Sequence, residues 1–514
     1  MKRLIVCCDG TWNTPDQERD DQPTPTNVVR LHNAVVADRD DGIEQKKYYH
    51  SGVGTEGSLL SRTAGGMWGE GLDKNVESAY AWIATNYQPG DAIYLFGFSR
   101  GAYTARVVGG VLGRVGMPDL QGLSVTESWN RIRTAFRLGY RDRQDRANWG
   151  DGWQWQGPSI PVEFIGVWDT VGALGVPDDL ALLNLFDRSK RARMIDDHLG
   201  EHVKHGRHAL AIDEERASFT PTLWTDPKTN QPINCDDRIK QLWFPGVHSD
   251  AGGGYPSTGL SDIALKWMID EAEHAGLKFS PGLRAQVKPD PRGTLHDSVR
   301  GVFKALKTRP RNIPDLGQTA WFHPDALERH AIPPIAQAPY RPSRKLGVGP
   351  SDEITIYARR HWNDTGLYLE AGSYVFTAEG EWMDRSIRCG PGGTDDGHFQ
   401  LAEIFQLAGT LLGKLEGVFQ SATGNQSADF IATRRIESAP WFSLVGVVAN
   451  DGGGVGANPH TDGSPTPHQH LPIGKGPFKL DLARGGYLYA FANDAWHFYE
   501  NNRGSVTLRI QRTA

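Results

Sequence analysis

The chain has 514 residues, 39% hydrophobic and 23% charged, which describes a globular protein too long for one ordinary core. Its formal net charge is −6 and its lysines and arginines are scattered, which excludes the basic patch of a nucleic-acid-binding protein. The apolar run Leu4–Cys8 is too short for a signal peptide, and no run reaches the about 18 apolar residues of a membrane span. We expect two or three domains, cytoplasmic synthesis without a signal peptide, and any export by a signal-independent secretion system.

The first predicted strand, Leu4–Cys8, is followed by a polar loop that begins Asp9-Gly10-Thr11. Two enzyme classes place chemistry in such a loop. Phosphatases of the haloacid dehalogenase type need a nucleophilic aspartate where this chain has Cys7, so that interpretation fails. In an α/β hydrolase the loop supplies a backbone N–H to the oxyanion hole. Gly10 or Thr11 is then the predicted donor, although the pattern also fits a plain structural turn.

A strand–turn–helix pattern organises the amino-terminal part of the chain. The apolar run 92–96 breaks at the segment Gly-Phe-Ser-Arg-Gly, residues 97–101, and apolar residues then continue at helical spacing. A Gly-x-Ser-x-Gly turn in that setting is typical of a nucleophile elbow, which makes Ser99 the predicted nucleophile. An apolar helical stripe precedes the strand, and it consists of Leu72, Val76, Ala79, Tyr80 and Ile83. Such alternation of helices and strands predicts the α/β class, with an α/β-hydrolase-like doubly wound parallel sheet.

Two further strands end in residues that would complete a catalytic triad. Asp169 follows the apolar strand 161–168, and His248 follows the strand 239–244. Functional groups gather at the carboxyl ends of the strands in parallel sheets. The chain order serine, aspartate, histidine is also that of α/β hydrolases.

These residues have distinct expected roles. His248 would take the Ser99 proton while Asp169 holds the imidazole in the required tautomer. The N–H of Arg100, with one from the Gly10–Thr11 loop, would bind the oxyanion. Because a polar residue at a strand end contributes little to the core, replacing a triad residue should abolish activity and change stability little.

Four stretches carry a resemblance to a known family: Cys8–Asn13, Gly97–Ala102, Gly166–Gly172 and Trp243–Gly253. Residues 1 to about 330 resemble the α/β-hydrolase family that includes the first group of type VI secretion lipase effectors. The resemblance implies a phospholipase with Ser99, Asp169 and His248 as its triad. It also implies a lipid substrate, and a secretion apparatus and an immunity protein as partners.

A segment rich in proline and glycine, residues 336–352, is predicted to link two domains. The α/β-hydrolase catalytic domain would span residues 1–335. After the linker, short strands separated by turn residues predict an all-β sandwich over 353–514. The strands expected there are 373–378, 442–448, 478–482, 487–491 and 505–510.

The segment 492–505 concentrates oxygen donors, which is typical of a polar hairpin loop or of a site for a hard cation such as Ca²⁺. The segment is similar to the calcium loop of galactose-binding bacterial lectins, and the resemblance covers roughly residues 353–514. The Ca²⁺ ligands that it implies are Asp494, Asn501, Asn502 and the Phe498 carbonyl, with a further carbonyl within 382–385. It also implies a galactose-type glycan contacted by His398 and Gln400. One carboxylate and two amides predict weak affinity, about 10⁻⁴ to 10⁻³ M.

The leading hypothesis is a serine ester hydrolase that acts on lipid, joined to a lectin-like domain that targets or stabilises it. The aromatic segment Trp149–Trp155 would either border the site and contact lipid or belong to surface helices. A carbohydrate esterase would use the same triad and would explain a sugar-binding partner domain. A non-catalytic glycan-binding protein with an inactive hydrolase domain is the third alternative.

Overall fold

The computed structural model describes residues 1–10, 13–19, 21–37, 41–52, 67–145, 149, 153–171, 198–229, 231–234, 237–300, 307–337, 339–394, 434–450, 468–496 and 498–514. These residues fall into two compact units, Met1–Tyr340 and the described residues from Arg341 onward. The boundary between the units lies inside the segment 336–352. None of the described helices is both long enough and apolar enough to cross a membrane.

The first unit is built on a six-stranded sheet whose strands all run parallel. In chain order they are β1 (Lys2–Cys8), β2 (Glu44–His50), β3 (Ala92–Phe98), β4 (Val162–Trp168), β5 (Val203–Ala211) and β6 (Ile239–Phe244). Their order across the sheet is β6-β5-β4-β3-β1-β2. The register places Phe98 opposite Trp168 and Trp168 opposite Ala209. The carboxyl ends of β3, β4 and β5 therefore share one edge of the sheet.

Helices and short ribbons connect the strands. The described helices are α1 (Asn27–Ala34), α2 (Met67–Asn86), α3 (Arg100–Arg114), α4 (Val125–Thr134), α5 (His248–Gly252), α6 (Gly259–His274), α7 (Pro281–Arg284) and α8 (Pro324–Ala331). A π-helical turn, Ala135–Arg141, continues α4. Two small ribbons pair Glu18–Arg19 with Gln22–Pro23, and Met117–Pro118 with Trp155–Gly157.

Both faces of the sheet are covered by helices. Alternate residues of a strand point to opposite faces, so Leu4 and Val6 share a core with α2 and α3, whereas Ile5 and Cys7 share one with α1 and α6. These four side chains are 0% exposed, and each fully buried aliphatic side chain contributes about 1.5–3 kcal/mol. The first unit is thus a doubly wound parallel sheet, which places every β-to-α loop at one edge.

The second unit consists of two antiparallel sheets. Its strands are β7 (Ser351–Tyr357), β8 (Asn363–Leu369), β9 (Gly372–Asp384), β10 (Ile387–Cys389), β11 (Leu444–Ala449), β12 (Gln469–Leu471), β13 (Phe478–Leu482), β14 (Gly486–Ala492) and β15 (Asn502–Arg512). One sheet has the order β7-β15-β9-β10 with β13 also paired to β9, and the other has the order β8-β14-β11-β12. Phe376 of the first sheet and Leu488 of the second belong to the same buried core. The prediction that an α/β domain is followed by a β domain is confirmed.

Candidate functional site

Ser99 occupies a sharp turn between β3 and α3. Its backbone has φ 56° and ψ −121°, a conformation that is strained for any residue except glycine. A Cβ at Gly97 would collide with the Gly101 carbonyl, and one at Gly101 would collide with the Cys8 carbonyl. The two glycines are therefore required, and the turn has the strand-to-helix geometry of a nucleophile elbow.

Asp169 is the residue that follows β4, and it is 0% exposed. Its N–H donates to the Ala209 carbonyl at 2.7 Å, and its Oδ1 accepts the Ala211 N–H at 3.0 Å. The Ser99 backbone lies beside it, because the Ser99 N–H donates to the Trp168 carbonyl at 3.0 Å. Asp169 is thus fixed between the ends of β4 and β5, next to the elbow.

His248 opens α5, just beyond the end of β6, and is 4% exposed. Its Nδ1 lies 2.6 Å from Asp169 Oδ2. Since an ionised carboxylate only accepts hydrogen bonds, Nδ1 carries the proton and Nε2 is the basic atom. The imidazole packs on Phe98, the residue before Ser99, with 4.5 Å between ring centroids, and edge-on to Phe219 at 4.9 Å. The structure therefore brings the strand ends that carry Ser99, Asp169 and His248 together.

A buried arginine that sequence reasoning missed contacts the carboxylate. Arg311 donates to both oxygens of Asp169, at 2.7 and 2.8 Å. Burial alone would raise the pKa of Asp169, but the charge and hydrogen bonds of Arg311, with a smaller contribution from His248, hold that pKa far below its ordinary value. Burial lowers the pKa of His248, and the hydrogen bond to Asp169 opposes that shift only in part. At neutral pH the carboxylate is therefore ionised and the imidazole neutral.

Two more buried carboxylates hold the segment that carries His248. Glu214 accepts the His248 backbone N–H at 3.2 Å and forms an ion pair with Arg216 at 2.8 Å. Asp250 accepts the N–H of Val247 at 3.1 Å and contacts His296 Nδ1 at 2.5 Å. This segment is consequently anchored on both sides of the imidazole, which limits its movement.

The loop after β1 lies directly beside the elbow. A Cβ at Gly10 would stand 3.2 Å from Ser99 Cβ. The Gly10 N–H, however, donates to Asp9 Oδ1 at 2.7 Å, so this structure directs it away from an oxyanion. Thr11, the other predicted donor in the loop, lies outside the described residues. Arg100 is the first residue of α3, so its N–H belongs to a helix N-terminus, whose dipole favours negative charge.

A family model described as the catalytic domain of Tle1-like phospholipase effectors of type VI secretion matches residues 2–271, about half of the chain. The chain belongs to this Tle1-like family. The uncharacterized protein YEL023C of Saccharomyces cerevisiae is 28% identical over a match of 443 residues, with 59% of this chain and 60% of that protein covered. The chain thus spans less than two thirds of the length of this relative.

Solved structures add weaker similarities. An uncharacterized protein from Pseudomonas aeruginosa is 20% identical and has a TM-score of 0.34, with 57% of this chain and 49% of that one covered. A Tle1 effector bound to the VgrG spike is 16% identical with a TM-score of 0.34, covering 62% and 83%. The EclA N-terminal domain, a PllA-like lectin, is 14% identical with a TM-score of 0.17, covering 31% and 94%.

Asp9 lies in the loop after β1 and has a buried carboxylate to which the sequence pattern assigned no role. It is 2% exposed and accepts hydrogen bonds from Thr26 at 2.6 Å and Tyr49 at 2.8 Å. Burial raises its pKa to about 6, although hydrogen bonds including those from Thr26, Tyr49 and Gly10 oppose the rise. The Asp9 side chain thereby ties the loop beside Ser99 to α1 and β2.

Asp9→Asn should change the pH dependence of stability in a defined direction. The folded-state pKa of Asp9 lies above its unfolded value, so its contribution to stability falls as pH rises from about 4 to about 6. The asparagine side chain does not ionise, so the variant does not lose stability in this way as pH rises. The free energy of unfolding of the variant relative to the wild type should therefore increase by about 3 kcal/mol between pH 4 and pH 7, measured by urea unfolding at both pH values. A difference that stays constant with pH would contradict the assignment.

The described residues of the aromatic segment, Trp149 and 153–155, lie away from this site. Trp155 pairs with Pro118, and a Cβ at Gly139 would collide with Trp149 and come within 3.1 Å of Val115. Both contacts lie at or beyond the carboxyl end of α3, whose fifteen residues span about 22 Å from the elbow. Of the two alternatives for this segment, the one in which it borders the site is therefore wrong, and its tryptophans belong to a cluster at the opposite edge of the sheet.

The cation site predicted in the second unit is formed largely of buried oxygens. Asp494 is 0% exposed, and its Oδ2 accepts Asn502 Nδ2 at 2.8 Å. The side-chain carbonyl oxygens of Asn501 and Asn502 are buried and accept no hydrogen bond within the described part of the chain. Burial raises the pKa of Asp494 to about 7, and the nearby charge of Asp384 adds to the rise.

Asp384 is a member of this cluster that the sequence did not single out. It is 3% exposed and stands opposite Asn502 in the β9–β15 ladder. In the described residues no group of three or more His, Cys, Asp or Glu side chains could hold a metal, so amide and carbonyl oxygens have to supply the remaining ligands. Two carboxylates and two buried amide oxygens fit a hard cation such as Ca²⁺. His398 and Gln400, the predicted sugar contacts, lie outside the described residues.

Proposed function

We propose that this protein is a serine hydrolase with the α/β-hydrolase fold that cleaves carboxylic ester bonds of phospholipids, with Ser99, Asp169 and His248 as its catalytic triad. The observation that carries the proposal is the 2.6 Å contact between His248 Nδ1 and Asp169 beside the strained turn at Ser99. Membership of the Tle1-like phospholipase effector family supports the lipid substrate.

The chemistry follows from the protonation states. Ser99 Oγ attacks the ester carbonyl carbon while its proton passes to His248 Nε2. The tetrahedral oxyanion then collapses, the bond to the alcohol oxygen breaks, and His248 returns its proton to that oxygen. Water repeats the sequence on the acyl-enzyme, which releases a fatty acid and restores the serine hydroxyl. Asp169 stays ionised throughout and stabilises the imidazolium.

The oxyanion needs hydrogen-bond donors next to Ser99. We assign the Arg100 N–H as one donor, because it opens α3 directly after the nucleophile. We assign the N–H of Thr11 as the second donor, since the Gly10 N–H is directed to Asp9. Such donors act where the charge develops, and losing one typically costs about 10²- to 10³-fold in kcat.

The full chain should convert phospholipid vesicles to lysophospholipid and fatty acid, as detected by mass spectrometry of the products. The rate should rise when the same lipid passes from dispersed monomers to vesicles, because the substrate is then met at an interface. Ser99→Ala should yield no product and should not react with a fluorophosphonate probe that labels the wild type.

Other product patterns would assign the protein differently. Release of a phosphorylated headgroup would contradict attack on a carboxylic ester. Acetate release from acetylated glycans, with no turnover of phospholipid, would establish the carbohydrate esterase. A wild-type protein that hydrolyses neither substrate and resists the probe would be a glycan-binding protein with an inactive hydrolase domain.

We also propose that the second unit is a lectin-like module that binds Ca²⁺ through Asp494, Asn501, Asn502 and the Phe498 carbonyl, with Asp384 as an added carboxylate. The buried amide oxygens of Asn501 and Asn502 support the metal. A galactose-type glycan at this module rests on the lectin resemblance alone. Glycan-array binding that depends on Ca²⁺ would test it.

We propose delivery by a type VI secretion system, which needs no N-terminal signal, and neutralisation by an immunity protein in the producing cell. The family description supports the secretion route. A solved Tle1 effector is bound to the VgrG spike, so the spike is the component to test as a partner. Co-purification of this chain with the spike protein of the same secretion system would test the contact.

A further inference from the structure

We propose that Arg311 is a positioning residue of the hydrolytic site, which holds Asp169 in place and cancels its charge, so that the site operates as a four-residue unit. This inference rests on the proposed function. Arg311 and Asp169 are 142 positions apart in the chain, so their contact is a property of the fold.

The guanidinium of Arg311 joins three parts of the site. Besides its two bonds to Asp169, it donates to the Ala211 carbonyl at 2.5 Å and to the Phe219 carbonyl at 2.7 Å. Ala211 ends β5, and the Phe219 ring packs edge-on against the His248 imidazole. Because a planar guanidinium offers a rigid fork, these four bonds fix the plane of the carboxylate. That plane in turn sets the direction of the bond to His248 Nδ1.

Burial makes this contact strong. The side chains of Arg311 and Asp169 are 4% and 0% exposed. Water therefore screens the pair little, and each charge depends on the other for compensation. A lysine could keep the charge but not the two parallel bonds.

The pairing also changes the electrostatics at His248. In a triad whose aspartate is uncompensated, the negative charge stabilises the imidazolium. Here the charge of Arg311 offsets that of Asp169, so the carboxylate stabilises the imidazolium mainly through its hydrogen bond to Nδ1, and the other pair facing His248, Glu214 with Arg216, is neutral overall. His208, which lies behind Asp169, has its pKa lowered to about 3 by burial and by the charge of Arg106, so it adds no positive charge. His248 is thus held as a neutral base to a lower pH than an uncompensated aspartate would allow.

Two substitutions of Arg311 separate its effect on the position of Asp169 from the effect of its charge. Arg311→Met removes both, so kcat should fall about 10²-fold, the usual cost of a misplaced catalytic group. Because Asp169 is then uncompensated, the acid limb of the kcat–pH profile should move to higher pH. Arg311→Lys keeps the charge, so kcat should fall about tenfold, the equivalent of one charge-assisted hydrogen bond, with the acid limb in place. KM should stay within about twofold in both variants, since Arg311 does not touch the substrate in this assignment.

Arg207→Met is the matched control. Arg207 is also a buried arginine, on β5, and it pairs with Glu271 at 2.6 Å away from the site. This variant should lose stability but keep the wild-type kcat and pH profile. A fall in kcat equal to that of Arg311→Met would overturn a specific role for Arg311.

The design separates failure of this inference from failure of the proposed function. If the wild type is labelled at Ser99 and hydrolyses phospholipid, the function stands regardless of Arg311. A folded Arg311→Met variant with unchanged kcat and acid limb then overturns the positioning role. If that variant does not fold, Arg311→Lys decides: a tenfold fall in kcat at constant KM supports the role, and wild-type kinetics reject it.

Discussion

Ser99→Ala and His248→Ala should each lower kcat for phospholipid hydrolysis by about 10⁶-fold, and Asp169→Asn by about 10⁴-fold, while KM changes little. The reason is the shared task of the three side chains. Without the imidazole the serine hydroxyl keeps its proton, and without the hydroxyl the imidazole has nothing to activate. The double variant Ser99→Ala/His248→Ala should therefore be no less active than either single variant, measured by fatty acid release from vesicles.

The stability of the same variants is an internal control. Ser99 is a small side chain at a turn whose strain lies in the backbone, so Ser99→Ala should shift the melting temperature little. Asp169→Ala should not behave this way, because it leaves Arg311 buried without its partner at a cost of about 3–5 kcal/mol. Losses that add fully in the double variant would contradict a triad, and an Asp169→Ala variant as stable as the wild type would contradict the buried ion pair.

The sequence predicted the parts of the site that depend on local pattern. An apolar run followed by a glycine-bearing turn marks a strand end, and Ser99, Asp169 and His248 each follow one. Parallel strands carry such residues to a common edge. The structure places the three residues there.

Contacts between distant segments could not be predicted in this way. Arg311 lies in an irregular segment with no periodicity, and only the folded chain brings it to Asp169. The strand β5 was not predicted because its residues His205 and His208 are three positions apart, a spacing that also suits a helix, and only pairing with neighbouring strands makes the segment a strand. The strand β2 was missed because it is an edge strand rich in polar residues. Among the polar residues of β2, Lys47 donates hydrogen bonds to carbonyls at the end of α1.

Two of the alternatives that the sequence left open, Gly10 as an oxyanion donor and the tryptophans as a lipid contact, do not match the structure for similar reasons. Gly10 has the right position for an oxyanion donor, but its N–H is engaged by the preceding side chain, which no spacing rule reveals. The tryptophans of 149–155 have the amphipathic chemistry of a lipid contact, but α3 carries the chain back across the sheet before they occur. Residue type alone did not determine where the chain places them.

Millimolar Ca²⁺ should raise the melting temperature of the full chain, through the transition of the second unit. Binding to the folded state alone stabilises it by mass action, by about 2.7 kcal/mol when the free ion is 100 times Kd. The sequence predicted weak affinity from a single carboxylate, but Asp384 adds a second one beside Asp494. More ligand charge favours tighter binding, so we expect Kd below about 10⁻⁴ M.

The response should also depend on pH, because Ca²⁺ and a proton compete for Asp494. Burial raises the pKa of this carboxyl to about 7, so the proton wins increasingly as pH falls below 7 and the calcium-induced shift should be larger at pH 8 than at pH 6. Asp494→Asn should remove the shift and leave Ser99-dependent hydrolysis of soluble esters intact. Asp481→Asn, at an exposed carboxylate of β13 that bonds Ser373, should keep the full shift. Calorimetry that detects no calcium-dependent shift in the wild type at pH 8 would reject the metal site, and the proposed glycan site would lose its main support.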